Sequence, residues 1–145
     1  MLEMLDGVFD IYMPDMKYAD AEIGRHYSKV PDYPQVNQAA VKEMHRQVGD
    51  LQLDERGIAS RGLLVRHLIL PDNLAGTDEI IRFLAEDISK DTYLNLMDQY
   101  RPAYKAAQYP KLNRPISSDE YKAAVRMAHE AGLHRLDQRR SFLGW

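Results

Sequence analysis

Three continuous apolar runs alternate with helical patterns along this chain, and that alternation constrains the fold more than any other feature of the sequence. The runs cover residues 8–13, 63–70 and 92–97. Each is more continuous than alternating, as expected for strands of a parallel sheet whose two faces are both covered. Connections long enough to hold a helix make successive strands parallel. The sequence therefore predicts an α/β fold with about three parallel β/α units.

The segments around these strands have the periodicity of amphipathic helices. Residues 35–48 place Val36 and other apolar side chains on one stripe, and residues 77–88 repeat the pattern. A third helix is predicted over residues 118–131, where a Ser-Ser-Asp-Glu sequence has the spacing of a capping box and a glycine follows the last turn. Residues 51–59 carry a turn signal and predict a small hairpin that leads into the second strand.

Charge and composition exclude several classes of function. The net charge is −3 and the basic residues are scattered, so the sequence argues against a nucleic-acid partner or an anionic membrane surface. It contains no apolar run of the roughly 20 residues that a membrane helix needs, and no basic leader, so we expect a cytoplasmic protein. Cysteine is absent, which excludes disulfides, thiolate metal sites and a cysteine nucleophile within these residues. The five histidines lack metal-ligand spacing and are interpreted as surface or hydrogen-bonded side chains.

We expect residues 1–145 to form one domain whose sheet is incomplete. Three parallel strands leave two open edges, and open edges favour pairing with another chain. The first strand follows almost directly on the first residues, with no β/α unit before it. The pattern is that of the second half of a barrel whose first half is missing or lies in another molecule.

Polar side chains lie where the predicted strands end, and ligands gather at the carboxyl ends of parallel strands. Asp15 and Lys17 follow the first strand, where they form either an exposed ion pair or part of a binding site. Arg66 lies within the second apolar run and needs a partner there. That partner is either a carboxylate such as Asp15 or the carboxylate of a ligand.

Two further segments have alternative interpretations. Asp72 and Asn73, followed by Gly76, form either a loop with a helix cap or an anion site at a helix N-terminus. Residues 100–118 make a long connection with three tyrosines within ten residues. That loop either covers a functional surface or is an irregular segment packed on the outer helices.

The residues at the three strand ends resemble those of a known family. They are Asp15-Met16-Lys17, then Val65-Arg66-His67-Leu68-Ile69-Leu70-Pro71, and finally Leu94-Asn95-Leu96-Met97-Asp98-Gln99-Tyr100-Arg101-Pro102. In this order they resemble the C-terminal half of radical S-adenosylmethionine (SAM) proteins, and more narrowly the uncharacterised relatives of pyruvate formate-lyase activating enzyme. The resemblance covers nearly the whole chain.

The resemblance implies a partial (β/α) barrel of the radical SAM type, in which a 4Fe-4S cluster binds SAM and reduces it to a 5′-deoxyadenosyl radical. In activating enzymes this radical takes a glycine hydrogen from a partner protein, so a glycyl-radical or other protein substrate is the implied partner. By resemblance, Asp15 and Lys17 contact the methionyl part of SAM. Arg66 and Leu68 match the strand beside its ribose and adenine, and Tyr100 replaces a histidine that contacts SAM.

The chain departs from the family in lacking the Cys-x-x-x-Cys-x-x-Cys loop that ligates the cluster, since it has no cysteine. We therefore expect a C-terminal fragment, excised or naturally truncated, that forms one wall of the SAM site and is inactive alone. Two other hypotheses remain. One is a piece of a β/α barrel lyase or aldolase with Lys17 as Schiff base, although Asp15 nearby disfavours it. The other is a non-enzymatic module that forms a homodimer through its open sheet edges.

Overall fold

The computed structural model describes residues 1–137, in which α-helices pack on a mainly parallel sheet. The strands are β1 (Ile11–Tyr12), β2 (Gln52–Leu53), β3 (Ala59–Leu68), β4 (Tyr93–Met97) and β5 (Arg135–Leu136). The helices are α1 (Ala21–Ser28), α2 (Tyr33–Val48), α3 (Thr77–Phe83), which continues as a π-helical turn over Leu84–Ile88, and α4 (Ser118–Glu130). Short 3-10 helices occupy Leu2–Leu5, Pro71–Asn73, Tyr104–Gln108 and Pro110–Leu112.

The sheet has the strand order β1-β3-β4-β5, and all four strands are parallel. Their order in space follows their order along the chain. Strand β2 adds to β3 in the antiparallel sense, across the turn at 54–57, as the predicted hairpin requires. The predicted α/β class and the parallel pairing of successive strands are therefore confirmed for residues 1–137.

Helices α2, α3 and α4 contribute to one hydrophobic core on a single face of the sheet. Alternate residues of β3 and β4 point into this core, and they are at most 6% exposed. These residues are Leu63, Val65, His67, Leu94 and Leu96. The residues between them point to the opposite face and remain partly exposed. We call this opposite surface the open face; it consists of Leu64, Arg66, Leu68, Tyr93, Asn95 and Met97.

The first strand is shorter and more exposed than the sequence predicts. Of the predicted strand 8–13, only Ile11–Tyr12 pairs with β3. Val8 is 63% exposed and Met13 is 56% exposed, whereas the ring of Tyr12 is buried at 9%. The expectation that both faces of this strand are covered is therefore wrong in residues 1–137. Helices cover the face that carries Tyr12, and the apolar neighbours of Tyr12 stay in contact with solvent.

Helix predictions were correct in position and partly wrong in burial. Helix α2 begins two residues before the predicted 35–48, and Val36 is 66% exposed instead of lying on the buried stripe. Helix α4 begins as predicted, because the Ser117 hydroxyl accepts from the Glu120 amide and the Glu120 carboxylate accepts from the Ser117 amide. Helix α1, an eight-residue helix that contains a glycine and is capped by Asp20, was not predicted from the sequence.

Candidate functional site

The segment Asp15-Met16-Lys17 continues the line of β1 past its last paired residue and remains bonded to β3. The Met16 amide donates to the Arg66 carbonyl at 2.9 Å, and the Arg66 amide donates to the Pro14 carbonyl at 3.0 Å. These bonds place Asp15 beside Arg66 in a parallel bridge. Met16 is buried in the core at 2% exposed, so its neighbours Asp15 and Lys17 point away from the core. Both charged groups are thus directed to the open side of the sheet.

The backbone of this segment is fixed from behind by two side chains of α2. The Tyr33 hydroxyl donates to the Asp15 carbonyl at 3.3 Å and accepts from the Lys17 amide at 3.0 Å. Asn37 Nδ2 donates to the same carbonyl at 3.0 Å. Burial raises the pKa of Tyr33 above its ordinary value, so the hydroxyl stays protonated and able to donate. Neither side chain was identified from the sequence, because only the fold brings the first turns of α2 behind Asp15.

The buried side chain of His67, in β3, also holds the Met16 backbone in place. Its Nδ1 lies 2.6 Å from the Met16 carbonyl, and its Nε2 lies 2.9 Å from the Thr77 hydroxyl. Burial lowers the pKa of His67, so the ring is neutral at physiological pH. A carbonyl can only accept, so Nδ1 carries the proton and Nε2 accepts from Thr77. The interpretation of this histidine as a hydrogen-bonded side chain is confirmed.

Arg66 and Asp15 form an ion pair on the open side of the sheet. Arg66 Nε donates to Asp15 Oδ1 at 2.7 Å, and the two side chains are 37% and 38% exposed. The predicted carboxylate partner of Arg66 is therefore Asp15. At this exposure such a pair contributes about 0–1 kcal/mol to stability, because water screens both charges. The guanidinium is positioned by the pair while a substantial part of it still contacts solvent.

Asn95 joins this group through the register of the sheet, and the sequence analysis missed it. It is the parallel partner of Arg66, so its half-buried side chain lies next to Arg66 on the open face. The register also pairs Leu68 with Met97 on that face, one step nearer the strand ends. A polar residue in the middle of an apolar strand was the signal available in the sequence. Asn95 could be assigned to the site only after the strand register had placed it beside Arg66.

Leu68 and Tyr100 pack against a second, smaller apolar cluster at the strand ends. Its buried members are Leu70, Ala75 and Leu112. The Tyr100 hydroxyl donates to the Leu112 carbonyl at 2.8 Å, and burial raises the pKa of Tyr100. A small cavity of about 50 Å³ lies beside this cluster, and it is lined by Lys17, Tyr18, Leu68 and Leu70. Five residues expected to contact SAM, namely Asp15, Lys17, Arg66, Leu68 and Tyr100, thus lie at or next to the carboxyl ends of β1 and β3.

The segment after β3 is a loop with a helix cap. Asn73 Oδ1 accepts from the Thr77 amide at 2.9 Å, and Asn73 Nδ2 donates to Asp78 at 2.7 Å. The Asp72 carboxylate is bound by the Arg114 guanidinium at 2.9 Å. The Asn73 side chain thus caps the Thr77 amide at the start of α3, which favours the loop-and-cap interpretation over an anion site.

Two negative findings apply to the described part of the chain. Residues 1–137 contain no group of three or more His, Asp or Glu side chains arranged to hold a metal ion. Within the same residues, the helices are too short or too polar to cross a membrane. The polar groups near the strand ends are a carboxylate, which accepts hydrogen bonds, an ammonium and a guanidinium, which donate them, and a carboxamide, which does both.

Comparison with known proteins gives one informative relative. Over 133 residues the chain is 31% identical to "Uncharacterized protein MJ0674" of Methanocaldococcus jannaschii, and the match covers 91% of this chain. It covers 35% of the relative, so the chain spans about a third of the length of the curated protein it matches. No family model matches the chain. No solved structure matches it either.

Proposed function

We propose that this chain is the C-terminal part of a radical SAM oxidoreductase of the glycyl-radical activating-enzyme type and forms one wall of its SAM site. One observation carries the proposal. Asp15 and Arg66 form an ion pair on the side of the sheet that α2, α3 and α4 leave uncovered, and Lys17, two residues after Asp15, is directed to the same side at the carboxyl ends of the parallel strands. Ligand sites of β/α folds lie at those ends.

Two features of the sheet support a partial barrel as its finer architecture. The parallel strands follow chain order, and α2, α3 and α4 pack on one face only. A barrel requires both, because its helices form an outer ring and its strands follow one another around the axis. A doubly wound sheet instead has helices on both faces and a reversal of strand order. The open face would then line the interior of the barrel, closed by other parts of a longer protein.

The residues of the open side fit the polar groups of SAM. The methionyl part of SAM carries an ammonium and a carboxylate, for which Asp15 and Lys17 are matching partners. Arg66 and Leu68 offer a guanidinium and an apolar side chain to the ribose and adenine. SAM and the electron of a reduced cluster would together supply the radical chemistry, and the residues of this chain would orient SAM. The chain has no cysteine for a 4Fe-4S cluster, so the cluster ligands would have to come from elsewhere in the longer protein and the chain alone would be inactive.

Calorimetry of SAM binding tests the proposal. We expect weak or no binding to residues 1–145 alone and measurable binding to the longer protein carrying its cluster. In that longer protein, Asp15→Asn and Lys17→Met should each weaken binding about tenfold, or roughly 1.4 kcal/mol. Lys29→Gln, an exposed lysine in the loop after α1, is the matched control. Absence of a Cys-x-x-x-Cys-x-x-Cys sequence upstream, or unchanged affinity in both variants, would contradict the proposal.

The homodimer is a second candidate, favoured by the exposed edge of β1. Within residues 1–137, β1 pairs with β3 only, and Ile11 and Met13, which flank the buried Tyr12, are 41% and 56% exposed. A second copy could pair there. Sedimentation of the chain at increasing concentration separates the two states, and a monomer throughout would exclude the dimer. A Schiff base at Lys17 has less support, because this lysine is exposed and such lysines need a desolvated pocket.

A further inference from the structure

The loop between β4 and α4 has a charge opposite to that of the rest of the molecule. Residues 99–118, which we call the basic loop, contain four arginines or lysines and no carboxylate side chain, and Asp98 and Asp119 flank them in the sequence. The remaining 125 residues contain 15 basic and 22 acidic side chains. A local positive region on a negative protein attracts acidic partners to that region alone. This asymmetry plays no part in the function proposed above.

One of the four basic side chains fixes the loop to the domain. The Arg114 guanidinium binds Glu120 at 2.8 Å and Asp72 at 2.9 Å, and it holds the pKa of the Glu120 carboxyl far below its ordinary value. The other three, Arg101, Lys105 and Lys111, are exposed. Within residues 1–137 none of these three forms an ion pair with a carboxylate. Their charges are therefore available to a partner.

The basic loop is held in one shape by aromatic and apolar contacts. The Tyr109 ring packs edge-on against His26 at 5.3 Å and against Tyr27 at 5.1 Å, which joins the loop to α1. Leu112 is buried in the cluster at the strand ends, and its carbonyl accepts from Tyr100. A fixed loop loses little conformational entropy when it binds, which favours recognition.

Tyr104 stands at the exposed tip of the loop in a conformation that costs free energy. Its side chain is 94% exposed, and its backbone φ of 54° lies in the left-handed region that tyrosine rarely adopts. The Lys105 ammonium lies 5.6 Å from the centre of its ring. Strained residues cluster at functional sites, and tyrosine is enriched among the residues that contribute most to protein–protein binding. The fold of residues 1–137 gives this ring no packing role.

We propose that the basic loop, with Tyr104 at its tip, is a docking surface for an acidic polypeptide segment at the rim of the strand ends. Arg101, Lys105 and Lys111 contact its carboxylates, and Tyr104 packs on its backbone and side-chain stems. A short acidic segment meets only this loop. A nucleic acid would extend beyond the loop over the rest of the molecule, where 22 acidic side chains outnumber 15 basic ones. The docking surface does not depend on SAM binding and remains if the function proposed above fails.

Fluorescence anisotropy with a labelled deca-glutamate peptide tests this surface on the full 145-residue chain. Binding should be measurable at about 20 mM salt and much weaker at about 200 mM, where exposed charges are screened. The triple variant Arg101→Gln/Lys105→Gln/Lys111→Gln should bind at least about tenfold more weakly. The control Lys90→Gln/Lys122→Gln/Arg126→Gln removes the same charge from exposed sites elsewhere, and its affinity should change by less than about threefold.

A second variant tests whether the Tyr104 ring contributes to peptide binding without contributing to the stability of the fold. Tyr104→Asn removes the aromatic side chain but keeps a residue that tolerates the left-handed backbone. We expect an unchanged urea midpoint and about threefold weaker peptide binding. Four outcomes would overturn the proposal: no binding at low salt, equal binding of deca-glutamine, equal weakening by the control triple variant, or tighter binding of oligothymidylate than of the acidic peptide. The last outcome would assign the loop to nucleic acid instead.

Discussion

The two faces of the sheet are made from the same strands but have opposite properties. On the helix-covered face, Leu63, Val65 and Leu94 are at most 1% exposed. On the open face, the alternate residues Leu64, Arg66 and Asn95 are half-buried and include a guanidinium and a carboxamide. The difference indicates that the covered face stabilises the domain while the open face is available for ligands or partner segments. Substitutions on the two faces should therefore differ in what they change.

The largest effect should come from a pair of matched leucines. Leu94→Ala removes a fully buried side chain next to the helices, and we expect a loss of about 2–5 kcal/mol in the free energy of unfolding. Leu64→Ala removes the same atoms from the open face, where water is already in contact, so about 1 kcal/mol or less should be lost. Urea unfolding of both variants measures the difference. Equal losses would mean that the open face is packed as tightly as the covered one.

The next effect concerns His67, the polar residue among the buried side chains of β3. Burial lowers its pKa in the folded state, so the unfolded chain takes up a proton first as pH falls. Stability should be complete above the ordinary pKa of about 6.5 and should decrease below it, by at most about 1.4 kcal/mol per pH unit. In His67→Gln this dependence between pH 5 and 6.5 should disappear.

Urea midpoints across that range, measured on the wild-type chain and on His67→Gln, provide the test. Glu43 and Glu120 have lowered pKa values, so their contributions are lost only below their ordinary value of 4.5 and do not interfere. A slope of the same size in both proteins would assign the dependence to other groups. Equal slopes would remove this test's support for a neutral His67 ring in the folded state.

A smaller change in stability is expected for the ion pair on the open side. Asp15→Asn and Arg66→Gln should each lower the free energy of unfolding by less than about 1 kcal/mol, because the pair is more than one-third exposed. If a longer protein that contains this chain binds SAM as proposed, their effect on SAM affinity there should exceed their effect on stability. Thermal unfolding and calorimetry on the same samples provide the comparison. A stability loss of several kcal/mol would instead make the pair a structural element.

The smallest effect should come from Val36, which lies 66% exposed on α2. Val36→Thr should change the stability of this chain by no more than about 0.5 kcal/mol, as is usual for exposed positions. If other parts of a longer protein pack against α2, the same substitution should cost more there. Thermal unfolding of both proteins measures this, and an equal effect in both would mean that Val36 is exposed in each.

The predictions that succeeded rest on the periodicity of apolar residues and on helix-cap spacing. The buried residues of β3 and β4, the first turn of α4 and the parallel pairing follow from continuous apolar runs and cap spacing. The predictions that failed concern features that depend on residues close in space but distant in the sequence. Val36 fits the helical stripe of α2, yet nothing in the described residues covers it. Helix α1 was missed because it is only eight residues long and contains a glycine, so its apolar side, with Ile23 and Tyr27, is too short to stand out in the sequence.

The candidate site was predictable to a similar extent. The partner of Arg66 was foreseen because a guanidinium among apolar residues needs a carboxylate, and Asp15 had the right place in the strand order. The supporting side chains Tyr33, Asn37 and His67 were not foreseen. Each acts on backbone atoms of the segment from Asp15 to Lys17, and a contact between a side chain and a distant peptide group leaves no trace in residue spacing.

Strand β3 hydrogen-bonds to β1, β2 and β4, whereas β1 contributes a two-residue ladder and β5 another at the far edge. This arrangement predicts the order in which the amide protons of the strands exchange. Amide protons at the centre of β3 should exchange with deuterium last, and those of β1 should exchange early through local opening that leaves β3 and β4 paired. The segment that carries Asp15 and Lys17 has further hydrogen bonds from Tyr33, Asn37 and His67, so its amides should exchange later than those of β1. The charged groups of the candidate site would then keep their positions while the strand before them opens and closes.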